Sequence, residues 1–277
     1  PPSGILVVYS IITEVSLVKL FVAAFIPGFM TALIYVIGIY AWVKINPSLS
    51  PQVSHADRPS WKERFVALTR TWELIILFLA VMGTIYLGIA TPTEAAAMGA
   101  FFALLTVLRR PRRRINVLQG LRETGTATCS VFALVIGAGL FSLGLSTTQL
   151  PTHLATLVSN MDLSQTGTIL IILIPYLVLG CFVDGLSLIL ITMPIVFPIV
   201  TQIGFDTVLF GLLVTKSVEI GAITPPVGLN AFVVKSMAPD VELKDIFYGC
   251  VPFVMMEIFI VGLLIAFPEI ALFAVVD

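Results

Sequence analysis

Two short stretches of this sequence place polar groups and backbone breakers inside otherwise apolar runs. Gly180-Cys181-Phe182-Val183-Asp184-Gly185 sets an acid between glycines, with Ser187 just beyond. Gly221-Ala222-Ile223-Thr224-Pro225-Pro226-Val227-Gly228-Leu229-Asn230 combines a hydroxyl, two prolines and a glycine. Pro225 and Pro226 remove two amide donors and keep the helix from re-forming. Gly228 allows close backbone approach. Backbone leaves the helix at membrane depth only where protein, water or ligand satisfies its freed groups. Such interrupted apolar segments are where transporters bind ions and solutes near the bilayer midplane. The plainer alternative is a set of proline-kinked helices. The chemistry indicated is binding rather than bond-making. An intramembrane enzyme needs a Ser/His pair or two acids at depth, and Asp184 alone makes neither.

The remaining candidates are sparse. Cys129, Cys181 and Cys250 are scattered without a CxxC pair, and His55 and His153 lie in polar, loop-like segments. Neither a zinc site nor a histidine-based nucleophile is expected. Asp184 is by default a functional intramembrane acid, with a local helix cap as the other reading. Asn230 either orients the loop and touches solute or caps a restarting helix. Lys216 and Glu219 are spaced i,i+3 and read as a structural ion pair. Thr91, Pro92 and Glu94 read as N-cap, first helical residue and capping-box partner, with an ion-ligand role for Glu94 as the alternative.

The elements that position these residues belong to a membrane. The 277 residues are 58% hydrophobic and 11% charged, with a mean hydropathy of +1.07. A soluble domain carries roughly a quarter charged residues. Apolar runs over 17–43, 72–90 and 246–267 approach or exceed the ~20 residues a spanning helix needs. A further span ends at Leu108, a surface helix is expected over 115–123, and 131–145 crosses outward. An external, interface-like segment follows over 149–165. The runs 168–179, 186–200 and 205–219 are short and interrupted. Lys44, Arg58, Lys62, Arg64 and Arg70 precede two crossings, and Arg109 to Arg114 with Arg122 follow them. Both groups therefore face one side, which the positive-inside rule makes cytoplasmic. Nucleic-acid binding by the arginine run is the rival, and its juxtamembrane position argues for topology and no nucleic-acid partner.

A repeat organises the chain. Pro1-Pro2-Ser3-Gly4-Ile5-Leu6 matches Pro225-Pro226-Val227-Gly228-Leu229-Asn230, and each motif leads through a polar turn into a helix with an early proline, Pro27 or Pro252. The first motif's tail is expected outside and the second's inside, so the copies are inverted, as many secondary transporters require. The second copy looks complete, and the first is expected to lack the segment upstream of its Pro-Pro motif.

These residues support a family resemblance. Gly88-Ile89-Ala90-Thr91-Pro92-Thr93-Glu94-Ala95-Ala96-Ala97 and the 221–230 motif resemble the large membrane subunit of TRAP transporters, and the 180–185 motif is similar to that family's second hairpin tip. The resemblance covers essentially the whole chain. It implies an all-α integral membrane protein: an inverted-repeat, elevator-type transporter with a re-entrant hairpin and broken helices. It also implies a multi-pass protein of the bacterial inner membrane, Na+ as coupling ion and a carboxylate substrate such as a C4-dicarboxylate, sialic acid or keto acid. The implied partners, besides membrane lipid, are a small four-helix Q-type membrane subunit and a periplasmic substrate-binding protein. On this reading 1–12 ends the first broken helix of the transport domain, and 13–70 is a scaffold span with a cytoplasmic loop. Residues 71–114 form scaffold helices and the basic loop, and 115–165 an arm helix, outward span and external segment. Residues 166–245 form the second hairpin and broken helix, and 246–277 a final scaffold span. The expected cation site draws on Gly180, Asp184, Ser187, Gly221, Thr224 and Pro226, where carbonyls, hydroxyls and half-helix C-termini suit a hard cation. Ser3, Gly4, Pro225, Gly228 and Asn230 are expected to meet substrate or position the loops. No arginine lies in the expected membrane portion after Arg122, so an anion must meet half-helix N-termini, backbone amides or Lys216. A stand-alone sodium/carboxylate symporter and a channel subunit are the alternatives.

Overall fold

The computed structural model describes residues 2–47, 60–69, 71–109, 117–149, 153–154, 156 and 163–275, and the described elements are all helices. Most of the arginine run at 110–114, His55, Arg58, Arg70 and most of the external segment at 149–165 lie outside the described residues. The helices are α1 (Gly4–Thr13), α2 (Leu17–Ala23), α3 (Phe25–Ile45), α4 (Trp61–Thr69), α5 (Trp72–Tyr86), α6 (Pro92–Leu108) and α7 (Val117–Thr148). They continue as α8 (Gln165–Gly180), α9 (Gly185–Gln202), α10 (Thr207–Ile223), α11 (Leu229–Met237), α12 (Leu243–Ala266) and α13 (Glu269–Leu272). Among the described residues, four stretches are long and apolar enough to cross a membrane: Leu17–Ile45, Val117–Leu145, Gly185–Gln202 and Leu243–Ala266. The chain divides into two compact units, Pro1–Gly38 with Thr126–Asp277, and Ile39–Gly125.

In the smaller unit α5 and α6 pack side by side. Gly99 makes this possible, since a Cβ there would fall 2.6 Å from Val81 Cγ2. The turn between them uses Gly88 at φ +67°, a region that costs glycine little. Glu94 closes the expected capping box: its Oε2 accepts from Thr91 N at 2.8 Å, and Glu94 N donates to Thr91 Oγ1 at 3.3 Å. A second box opens α4, where Ser60 N donates to Glu63 Oε2 at 2.7 Å. These bonds to Ser60 hold the Glu63 carboxyl below its usual range.

The larger unit is built around α10. It is mostly apolar apart from Thr215, Lys216, Ser217 and Glu219, and Leu209, Phe210, Leu213 and Val214 are buried almost completely. Such a helix belongs in a core, and α10 packs against α1, α2, α8, α9 and α12. Tyr9 anchors α1 by donating from its hydroxyl to Thr207 O at 2.7 Å. Its ring lies where a side chain on Gly211 would clash, 2.7 Å from an added Cβ. The helices α8 and α9 form a hairpin, clasped by Tyr176 donating to Thr192 Oγ1 at 2.7 Å and by Gln165 Nε2 donating to Ile203 O at 2.7 Å.

Three details differ from the sequence expectations. Val117–Thr148 is one continuous helix rather than a surface helix followed by a separate span; Thr124, Thr126 and Gly125 interrupt the apolar pattern without interrupting the backbone. Gly185–Gln202 reaches spanning length despite Pro194 and Pro198. The span expected over 72–90 stops at Tyr86.

Candidate functional site

The hairpin tip and the break after α10 meet backbone to backbone. At the tip α8 ends on Gly180, and Asp184 caps α9, its Oδ1 accepting from Leu186 N and Ser187 N at 3.1 Å each. At the break, Thr224 is extended (φ −100°, ψ 138°), the Pro225–Pro226 bond is cis, and Gly228 takes φ +58° before α11 begins. Gly228 N donates to Cys181 O at 3.0 Å, joining the two turns directly. Gly180 and Gly221 are pressed together more tightly still. A Cβ on Gly221 would fall 2.7 Å from Gly180 Cα, and one on Gly180 3.1 Å from Val218 O. Both glycines are therefore required by space, as the close approach of two backbones demands.

Two assignments change in detail. Gly180 closes α8 and Gly221 sits in the last turn of α10, so their carbonyls are helix-terminal rather than unwound. Gly221 O accepts from Thr224 N at 3.0 Å. The unwound segment proper begins at Thr224, whose hydroxyl donates to Ile220 O at 2.6 Å and keeps its lone pairs.

The junction gathers helix ends of both signs. The C-termini of α8 and α10 meet there, bringing unpaired carbonyls and negative potential. The N-termini of α9 and α11 meet there as well and point amides outward. The start of α1 joins them, because a Cβ on Gly185 would fall 2.8 Å from Ile5 Cδ1. Ser187 is half-buried on the first turn of α9, while Asp184, Pro225, Pro226 and Asn230 are exposed on the rim. Phe247 of α12 supports the loop from below, 2.8 Å from where a Cβ on Gly228 would lie. Gly4 stands in open space. Ser3 caps α1 without a side-chain cap bond and lines a separate cavity with Thr215, Lys216 and Glu219.

Glu257 is a functional candidate that the sequence reading passed over. It lies in the middle of α12, 4% exposed, and its Oε1 accepts from Tyr35 OH at 2.5 Å and from Lys216 Nζ at 3.2 Å. Lys216 is thus shared, 3.1 Å from Glu257 Oε2 and 3.7 Å from Glu219 Oε2. The i,i+3 pair read from sequence exists but is the longer of the two. The available signal was that Glu257 is the one acid after Asp245 in a 24-residue apolar helix, which marks it as an intramembrane charge.

Comparisons with known proteins bear on this geometry. A sequence model described as "Tripartite ATP-independent periplasmic transporter, DctM component" matches residues 1–270. The chain is 36% identical over 241 residues to the C4-dicarboxylate TRAP transporter large permease protein DctM of Pseudomonas aeruginosa, covering 86% of this chain and 55% of that protein. It is 34% identical to the ectoine TRAP transporter large permease protein TeaC of Halomonas elongata, over 99% of this chain and 63% of that one. Against the sialic acid TRAP transporter large permease protein SiaM of Vibrio cholerae the identity is 28%, over 98% of this chain and 63% of that one. The chain therefore spans 55 to 63% of the length of these relatives.

Proposed function

Because this chain belongs to the DctM component family of tripartite ATP-independent periplasmic transporters, we propose that it contributes transport-core helices to a sodium-driven organic-acid permease in the bacterial inner membrane. It is a membrane transporter component and not an enzyme. The observation that carries the reading is the junction of the α8–α9 tip with the α10–α11 break, tied by Gly228 N and Cys181 O at 3.0 Å. Helix C-termini there favour a hard cation, and helix N-termini favour an anion, so one junction serves both partners of a symport. Terminal carbonyls near Gly180, Gly221, Thr224 and Pro226, the Ser187 hydroxyl and the free Asp184 oxygen supply cation ligands. The amides that open α9 and α11, with Asn230 at the rim, face the carboxylate.

The family supplies the rest of the reading. A small membrane subunit and a periplasmic substrate-binding protein complete the system. The inverted repeat, with the matching α1 and α11 after their Pro-Pro motifs, suits an elevator motion of the transport segments 1–12 and 166–245. The relatives' names differ in solute, so the substrate is proposed only as an organic acid.

The test is uptake of labelled organic acids by the full-length protein with its neighbouring subunits in proteoliposomes. Uptake that needs both an inward sodium gradient and the binding protein is expected. Uptake indifferent to the binding protein would favour a stand-alone symporter, and no sodium-coupled uptake would sink the proposal. Asp184→Asn sharpens the site. It keeps an acceptor for the α9 cap but loses the charge, so half-saturation by sodium is expected to rise while thermal stability holds. Unchanged sodium dependence would leave Asp184 as a cap alone.

A further inference from the structure

One ammonium stands between two carboxylates that belong to different elements. Lys216 Nζ on α10 lies 3.1 Å from Glu257 Oε2 on α12, and 3.7 Å from Glu219 Oε2 nearly one turn along its own helix. It also donates to Glu257 Oε1 at 3.2 Å, and Tyr35 of α3 donates to the same oxygen at 2.5 Å. The two acids are unlike in their surroundings. The Glu257 side chain is 5% exposed and that of Glu219 is 50% exposed. Glu257 Oε2 is buried without a hydrogen bond, so charge more than direction holds the ammonium there.

A static buried pair needs no second acid. The second acid has a use when α10 slides against α12. Glu219 rides on the same helix as Lys216, so their spacing survives the slide, whereas the contact with Glu257 does not. Removing an ammonium from a buried partner with nothing to receive it is strongly unfavourable. Room for the transfer exists, because a cavity of about 130 Å³ is lined by Lys216 and Glu219 together with Ser3 and Thr215. Glu257, left behind, keeps the Tyr35 hydroxyl.

We propose that Lys216 is the bolt of a latch between the transport segments and their scaffold. With α10 docked, the ammonium rests on Glu257; as α10 slides, it passes to Glu219 while Tyr35 stays on Glu257. Glu219 is then a positioning residue that acts through Lys216. The assignment rests on the elevator reading above, in which α10 belongs to the transport segment 166–245, and Tyr35 and Glu257 to the scaffold segments 13–70 and 246–277.

The test reads the parting of α10 from α12 directly. Ile260 shares the buried face of α12 with Glu257 and Leu264 and is fully covered. Ile260→Cys is made in the full-length protein with its other cysteines replaced. The purified protein in lipid is reacted with methyl methanethiosulfonate, and the adduct is followed by mass spectrometry. Slow labelling of this folded parent is expected. Labelling should be several-fold slower in Glu219→Gln, where the sliding ammonium has lost its acceptor, and faster in Glu257→Gln, where the docked ammonium has lost its holder. A merely structural loss would speed labelling in both, so opposite directions identify the latch. In a Lys216→Met background, Glu219→Gln should change nothing. Glu219→Gln alters a half-exposed position and leaves the buried pair intact, so misfolding does not obscure the result. Labelling in Glu219→Gln as fast as in the parent or faster, or none in the folded parent while the unfolded protein reacts, overturns the latch. In proteoliposomes, maximal uptake at saturating sodium should fall in Glu219→Gln along with the labelling rate. Slowed labelling with unchanged uptake overturns the latch's part in transport. A complete absence of sodium-coupled uptake by the unaltered protein removes the transport reading, and the labelling still decides whether the ammonium is handed over.

Discussion

At the scale of single residues, the junction depends on hydrogen atoms in place of side chains. Gly180 and Gly221 bring two helix ends into backbone contact, and the only atoms that could yield are backbone. Gly221→Ala should therefore force the tip away from the break. Overpacking of this kind costs about 1–3 kcal/mol, and loss of the junction should lower sodium-coupled uptake more than tenfold. Gly262→Ala is the matched control, since an added Cβ there meets nothing within 4 Å. It should retain uptake, and it removes a helix-interior glycine worth about 1 kcal/mol. Thermal unfolding and uptake measured on both variants decide the point; equal behaviour would mean the tip tolerates separation. The importance of these two glycines was legible in the sequence, because each stands where an apolar run fails. Their mutual contact was not. Residues 41 positions apart carry no sequence signal of touching, and the contact exists only once α8 and α10 are packed.

At the scale of elements, the helix breaks follow local rules and were correspondingly readable. The Thr91–Glu94 capping box uses residues three apart and appears as expected. The Pro225–Pro226 pair and Gly228 ended α10 and restarted the chain as α11, for reasons of donor loss and backbone freedom. The continuity of α7 was hidden, because polar residues at 123–128 imitate a boundary that hydrogen bonding within the helix does not respect. Glu257 was missed for another reason: its meaning lies in the contact between α10, α12 and α3. That three-way tie makes a prediction. Glu257→Ala leaves the Lys216 ammonium, among the described residues, with the more distant Glu219 alone, and breaking a buried pair from one side costs about 3–5 kcal/mol. Replacing both partners, as Lys216→Met with Glu257→Leu, should recover much of that loss. Melting temperatures of the single and double variants, solubilised in the same detergent, test the ordering. A double variant no more stable than Glu257→Ala would mean that the ion pair is not what joins these helices.

At the scale of the whole molecule, the reading turns on which side of the membrane each short helix after a Pro-Pro motif emerges. Both helices are similar in length, 10 residues for α1 and 9 for α11, and each ends in a polar turn before a long apolar helix. If the repeats are inverted, these turns face opposite compartments. On the positive-inside expectation from the basic segments, the turn after α11 lies on the cytoplasmic side, although that turn carries Asp240, Glu242 and Asp245 and does not itself favour it. Glu14, in the left-handed region at φ 59°, and Asp240 are exposed residues of the two turns. Single cysteines at Glu14 and Asp240, in a background with Cys129, Cys181 and Cys250 replaced, can be probed with a membrane-impermeant maleimide in sealed vesicles of known orientation. The Glu14 position should react from the periplasmic face and the Asp240 position from the cytoplasmic face. Reaction of both from one face would make the repeats parallel. An elevator motion that relies on inverted repeats would then have to be abandoned.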